Sequence, residues 1–191
     1  MTSGPAARVR RATPADAAAL PGVERSAGDL FRTLPGLGWL ADGEPIAEAH
    51  HRRWIASGTV WVAVDPHGEP DAPVGFLDAE AFDDALHVWE MSVHRRWQGR
   101  GIGRALLDAA SAHACDVGLA RLTLTTFSDV PWNAPYYARM GFTRIDASAL
   151  CTRLQSVLEA EIAAGLPAAR RCAMQRWTNA TAGTSGTTGS A

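Results

Sequence analysis

Residues 93–107 read VHRRWQGRGIGRALL, with glycines at 99, 101 and 103, four arginines around them, and an Ala- and Leu-rich run immediately after. Glycine loses conformational entropy inside regular structure, so three in five residues demand a backbone that side chains would block. The stretch lies where a strand-like run, ALHVWEMSV, gives way to Ile102, Leu106, Leu107 and Ala110 at helical spacing. A strand-to-helix junction leaves the first backbone N–H groups of the helix unpaired, with the positive end of the helix dipole behind them. Such an end binds phosphate. Glycines permit close approach of phosphate to backbone, and Arg100 and Arg104 add charge suited to a pyrophosphate.

The rest of the chain limits where this unit can sit. At 191 residues one domain with a substantial core suffices. A formal net charge of -2 argues against a general nucleic-acid partner. No apolar run reaches the ~20 residues of a membrane span. The first twenty residues lack an uninterrupted apolar segment before a cleavage site, so the chain reads as cytoplasmic. Cys115, Cys151 and Cys172 fall outside any C-x-x-C pattern and imply neither a disulfide framework nor a zinc site. All 18 basic residues are Arg, which excludes a catalytic or Walker lysine.

The periodicities predict an element order. RVRRAT (8–13) alternates as a short strand, and Thr13 as cap, Pro14 and Asp16 predict a helix start. A second helix spans 44–58, with His50 and His51 on an exposed-looking face beside Arg52 and Arg53. TVWVAV (59–64) and APVGFLDAEAF (72–82), separated by the turn signal DPHGEPD, predict a hairpin, and ALHVWEMSV (85–93) a third strand. The glycine-led helix runs to about Val117 and stops at Gly118. Then come a strand in ARLTLTTF, a short helix in PWNAPYYARMGF running into a strand, a helix over 150–167, and a last strand in ARRCAMQRW. This is a mixed α/β layer architecture. One domain is expected over 1–177, with a small, polar, disordered tail at 178–191.

Three phosphate motifs compete for the glycine stretch. A Walker loop needs G-K-[ST], where this chain has Gly103, Arg104 and Ala105. The dinucleotide fingerprint G-x-G-x-x-G meets Arg104 counted from Gly99 and Leu106 counted from Gly101. The pattern that fits is Q-x-x-G-x-G, at Gln98, Gly101 and Gly103. Downstream, Tyr137, Gly141 and Phe142 stand in the spacing Y-x-x-x-G-F. With these motifs in this order, the chain resembles the GNAT superfamily of acyl-CoA-dependent N-acyltransferases over about 9–145, and through the last strand.

The resemblance implies an α/β GNAT fold: a mixed central sheet of about six to seven strands, splayed between two central strands and flanked by helices. It implies acetyl-CoA as cosubstrate, with pantetheine on the main chain of Met91, Ser92 and Val93. The pyrophosphate then falls on Gln98, Gly99, Arg100, Gly101, Ile102, Gly103 and Arg104. Asn133 stands four residues before Tyr137, where the family pattern has seven; it either reaches the pantetheine or caps a helix. Direct attack of an amine on the thioester requires a proton acceptor and a proton donor. Tyr137 holds the position of the family's catalytic and cosubstrate-contacting tyrosine, its other reading being a packing aromatic beside Tyr136.

Two residues compete for the base. His87 lies six before Val93, where some members carry a catalytic His, and an ordinary His titrates near pH 6.5. Glu90 lies three before Val93, where many members carry Glu. Their odd spacing puts them on opposite faces of a regular strand unless a bulge intervenes. The plainer readings are a His at the strand end in solvent and a Glu paired with an arginine. His94 reads as a surface residue, and His50 and His51 lack partners at metal spacing, so no metal is assigned.

The acceptor end falls to Phe31, Leu34, Trp39, Trp54 and Trp132 with the acids Asp78, Glu80 and Asp129. Aromatic walls with carboxylates suit a cationic small amine, core packing being the alternative for the tryptophans. The expected activity is acetylation of a primary amine, with a small molecule as acceptor and no membrane or nucleic-acid partner. The alternatives are a protein N-terminal acetyltransferase and an acetyl-CoA-binding sensor without turnover. The apolar stripe Leu150, Leu154, Val157, Leu158 and Ile162 covers either its own sheet or a second copy in a homodimer.

Overall fold

Alternating apolar residues in the middle of the chain build a seven-stranded sheet in the computed structural model, which describes residues 7–65 and 72–178. The strands are β1 (Arg8–Arg11), β2 (Val60–Val64), β3 (Pro73–Phe82), β4 (Ala85–Val93), β5 (Arg121–Phe127), β6 (Thr143–Arg144) and β7 (Arg171–Trp177). Their order across the sheet is β1-β2-β3-β4-β5-β7-β6, and every pairing is antiparallel except β4 with β5. Five α-helices intervene: α1 (Leu20–Gly28), α2 (Glu48–Ala56), α3 (Ile102–Asp116), α4 (Ala134–Arg139) and α5 (Thr152–Ala163). Strands and helices thus follow the order expected from the periodicities.

The two faces of the sheet follow from the period of two along each strand. Trp61, Ala63, Leu77, Ala79, Leu86 and Val88 turn toward α3, whose Ile102, Leu106, Leu107, Ala110 and Ala114 are buried against them. Burying these five side chains contributes on the order of 10 kcal/mol before conformational entropy is subtracted. Val60, Val62, Val64 and Phe76 turn the other way, onto Leu20 and Val23 of α1 and Ile55 of α2. A smaller cluster of Leu37, Phe127 and Val130, flanked by Phe31 and Trp132, closes one end. On α5 the stripe covers the chain's own sheet through the buried Leu154, while Ile162 stays 42% exposed.

One irregularity matters most. Asp78 of β3 faces Glu90 of β4, but the next residue, Ala79, faces Val88, so Trp89 is an extra residue in β4. A bulge of this kind bends and twists its strand. Accordingly β4 pairs with β5 only from Ala85 to Val88, against Arg121 to Leu124. Beyond that point the two strands diverge, and β5 stays with β7 along its whole length.

The first helix departs from expectation. Residues 14–19 form turns, and α1 begins at Leu20, behind Ala19. Thr13 does not cap it. Instead the Asp16 carboxylate accepts the Thr13 N–H at 2.6 Å, the Thr13 hydroxyl at 2.9 Å and two Arg10 guanidinium bonds at 2.8 Å. With Asp16 buried, those four donors favour a tight turn over a first helical turn, and they hold the carboxyl below its ordinary range against the opposing effect of burial. The tail beyond Thr178 lies outside the described residues; Thr178 itself is buried and donates to the Leu119 and Ala120 carbonyls. No helix among the described residues is long and apolar enough to cross a membrane.

Candidate active site

A cleft of about 770 Å³ opens where β4 leaves β5. The glycine loop forms one side of its mouth. Gln98 donates through Nε2 to the Val93 carbonyl at 3.0 Å, tying the loop back to the end of β4. Gly99 and Gly101 have φ of 74° and 79°, a left-handed conformation that an L side chain strains. Gly101 precedes α3 without any side-chain cap, so the first-turn N–H groups of a fifteen-residue helix stay open for an anion. Gly103 is needed for a different reason. A Cβ there would lie 2.5 Å from the Tyr136 hydroxyl oxygen. Arg100 stacks over the Trp97 ring at 4.7 Å.

Along the cleft wall Met91, Ser92 and Val93 pair with Leu77, Phe76 and Gly75 on one side, while their β5-facing edge carries no ladder pairs. Glu90 lies at the same divergence. The Ser92 hydroxyl donates to its Oε1 at 2.8 Å. Burial, then the negative charges of Glu24 and Asp78, push its carboxyl up to about 7 despite hydrogen bonds from Ser92 and the Met91 backbone. Glu24, on α1, lines the same cleft and accepts the Ile46 backbone N–H at 2.9 Å; burial raises its carboxyl as well.

Behind these carboxylates lies a pair with no solvent contact. His51 Nδ1 is 2.8 Å from Asp78 Oδ2, and both side chains are 0% exposed. Burial raises the Asp78 carboxyl, and the histidine pulls it back down. His51 is therefore an interior residue and not part of an exposed helical face. The signal was available: Leu20, Val23 and Glu24 share one stripe of α1, and His51 shares one with Ile55. A polar side chain inside an apolar stripe marks a buried polar site.

The bulge brings His87 and Glu90 to one face of the sheet, yet it separates their surroundings. His87 faces Thr123 where β4 and β5 still pair, fully buried, with Nδ1 3.0 Å from the Thr123 hydroxyl and the Trp89 ring 4.5 Å away. It does not line the cleft. Burial, reinforced by the Arg153 guanidinium, lowers it to about 3, so the imidazole stays neutral.

Tyr137, on α4, reaches the cleft from the opposite side. Its ring packs against Tyr136 and Phe142, each at 5.5 Å. Burial, and then the charge of Glu90, raise its hydroxyl, which holds its proton at neutral pH. Asn133 precedes α4 but makes no side-chain cap; its buried Oδ1 has no hydrogen-bond partner and the residue lines the cleft. Of the aromatic candidates, Phe31 and Trp132 meet edge to face at 5.7 Å in the cleft wall. Trp54 stacks behind Trp89, whose indole N–H donates to Glu80 at 3.0 Å. Leu34 packs beside Leu37, Trp39 is 48% exposed, and Asp129 is spent on Arg170 at 2.9 Å.

A sheet that splays beside an uncapped glycine loop is the arrangement of the acyl-CoA-dependent N-acetyltransferases, and the chain belongs to the GNAT acetyltransferase family, with acetyl-CoA as cosubstrate. The family model described as "Acetyltransferase (GNAT) domain" matches residues 56–144. An aminoglycoside N(6')-acetyltransferase type 1 of Stenotrophomonas maltophilia is 33% identical over 123 residues, covering 60% of this chain and 71% of that protein. A GNAT-family acetyltransferase from Staphylococcus aureus superposes with a TM-score of 0.66 at 17% identity, over 91% of this chain and 99% of the other. The PaiA N-acetyltransferase of Thermoplasma acidophilum, solved in complex with coenzyme A, superposes at 0.63 and 12% identity, over 89% and 98%.

Proposed function

We propose that this enzyme acetylates a primary amine of a small cationic molecule, with Glu90 as proton acceptor and Tyr137 as proton donor. The observation that carries the reading is Glu90, which stands past the β4–β5 divergence with its carboxyl near 7 and with Tyr137 close enough to feel its charge. A carboxylate there suits the proton of an amine that arrives as ammonium.

Acetyl-CoA supplies the activated acetyl group as a thioester. The open N–H groups at the start of α3, with Gln98 to Arg104, suit its pyrophosphate, and the free edge of Met91 to Val93 suits the pantetheine amides. Asn133, with an unpartnered carbonyl oxygen in the cleft, is a further contact for that arm. The ammonium loses one proton to Glu90. The amine nitrogen then bonds to the thioester carbonyl carbon, the carbon–sulfur bond breaks, the thiolate takes a proton from Tyr137, and the nitrogen's second proton returns through water to the tyrosinate, leaving a neutral amide. Burial keeps the Tyr137 proton in place at neutral pH and makes the phenol a weaker acid than a thiol, so its transfer to sulfur is coupled to uptake of the nitrogen's second proton.

With Glu161 paired to Arg171, the cleft lining keeps Glu24, Glu44 and Glu90 against Arg25 and Arg139, among the aromatic walls of Phe31, Trp132 and Trp89. A cationic amine fits that composition, and the aminoglycoside-acetylating relative acts on an acceptor of this kind. The test is thiol release from acetyl-CoA with kanamycin, spermidine and an alanine-initiated peptide as separate acceptors, with the acetylated position found by mass spectrometry. Turnover on the small polyamines and not on the peptide supports the reading. A preference for the peptide, or tight coenzyme A binding without turnover on any acceptor, overturns it.

A further inference from the structure

Glu24 is used by neither strand register nor loop, yet it stands in the cleft beside the proton acceptor. It projects from the first long helix of the chain, in line with the buried Leu20 and Val23, and its Oε2 is fixed by the Ile46 backbone N–H at 2.9 Å. Glu90 comes from β4, with its Oε1 fixed by the Ser92 hydroxyl at 2.8 Å. Both carboxylates line the cleft. The groups that act on them are Asp78 on β3 with its partner His51 on α2, Arg25 beside Glu24, and Tyr137 on α4; Glu44, Arg139, Glu161 and Arg171 complete the charged lining of the cleft. Within that set His51 is held against Asp78, and the Arg25 side chain is exposed.

We propose that Glu24 is the second half of an ammonium clasp, holding the reacting nitrogen of the acceptor while Glu90 takes its proton. This rests on Glu90 as the acceptor and deepens that reading. One N–H of the ammonium gives its proton to Glu90, and a second N–H donates to Glu24, which remains ionised. Nitrogen gains positive charge as it bonds to the acyl carbon, and the Glu24 carboxylate stays beside it to balance that charge. Two carboxylates this close repel when both are ionised, so the arrangement favours a cation between them. It also makes acceptor binding depend on deprotonation of the pair: each carboxyl is raised by burial, and the charge of Glu24 raises the Glu90 carboxyl further.

The experiment is Glu24→Gln, compared with wild type and with Glu90→Gln on kanamycin over pH 5.5 to 9. The amide oxygen of Gln still accepts the Ile46 N–H, so a purely structural Glu24 leaves the kinetics unchanged. The clasp predicts a KM for the amine raised about tenfold or more, the size of one charge-assisted hydrogen bond, with a smaller change in kcat. It also predicts that the acid limb of kcat/KM moves to lower pH, because Glu90 loses a negative neighbour. If Glu24→Gln folds poorly, as judged by thermal unfolding, Glu24→Asp replaces it; the clasp then predicts raised KM with the acid limb in place. Wild-type KM and acid limb in Glu24→Gln overturn the clasp, even where Glu90→Gln abolishes turnover. Unchanged kcat/KM in Glu90→Gln overturns the base assignment, and the clasp with it.

Discussion

His51 Nδ1 sits 2.8 Å from Asp78 Oδ2 with no solvent on either side chain, and Asp78 is the residue directly opposite Glu90 across the β3–β4 pair. The pair ties α2 to the sheet immediately behind the cleft. Both ring nitrogens of His51 and both carboxylate oxygens of Asp78 lack an aligned hydrogen bond, so the 2.8 Å contact is the polar interaction each side chain has. Asp78→Ala and His51→Ala should each cost about 3–5 kcal/mol in urea denaturation, the range for breaking a buried pair. The double variant should cost at least about 1 kcal/mol less than the sum. Additive losses would mean that the two side chains do not interact.

His87 and Glu90 make opposite predictions for the pH profile. His87 is held neutral down to about pH 3 and lies outside the cleft, so His87→Gln should leave the acid limb of kcat/KM where it is. Glu90→Gln should lower kcat/KM by roughly 10²-fold or more and flatten that limb. A moved limb in His87→Gln would return the base role to the histidine.

Folding stability should carry the same signature of Glu90. Its carboxyl is raised from the ordinary 4.5 to about 7, so its contribution is full below pH 4.5 and is lost as the pH rises through 7. Glu90→Gln removes a buried charge above that range and should stabilise the protein at pH 8, by on the order of 1–3 kcal/mol, with little change at pH 4. Melting temperatures of the two proteins at both pH values check this; a stabilisation equal at pH 4 and pH 8 would contradict it.

Gly103 and Tyr136 should behave as a coupled pair. A methyl group at 103 meets the Tyr136 hydroxyl at 2.5 Å, whereas the next ring atom is 3.4 Å away. Gly103→Ala should therefore reduce the rise in Tm that acetyl-CoA produces in wild type, and Gly103→Ala with Tyr136→Phe should recover much of it. A normal shift in the single variant would remove close approach as the reason for this glycine.

Tyr137→Phe keeps the ring contacts with Tyr136 and Phe142 and deletes only the hydroxyl. Turnover should fall by roughly 10²-fold, typical of a lost general acid, with coenzyme A affinity nearly unchanged. Should kcat stay at its wild-type value, the thiolate leaves without help and catalysis rests on positioning.

Local chemistry made much of this molecule legible in the sequence. Alternation in TVWVAV, helical spacing in Ile102, Leu106, Leu107 and Ala110, and the stops at Gly118 and Gly165 give the order of the elements, because each depends on residues within a few positions of one another. The glycine loop is local too: φ at Gly99 and Gly101 is a property of those residues. Tertiary contact decided what lies across space. The Thr13 turn was claimed by Asp16 and Arg10, a contact between strand and turn that outweighed a capping preference.

The site divides in the same way. Glu90 and Tyr137 could be named from the chain, but the bulge at Trp89 decided that Glu90 stands at the open divergence while His87 is sealed against Thr123. Spacing alone could not separate them, since a bulge is a register mismatch between two strands and is absent from either strand by itself. Glu24 and His51 reached the site because α1 and α2 pack their apolar stripes onto β2 and β3, carrying one polar residue each into the interior. The raised carboxyl of Glu24 comes from that desolvation, which exists only once the helices are docked.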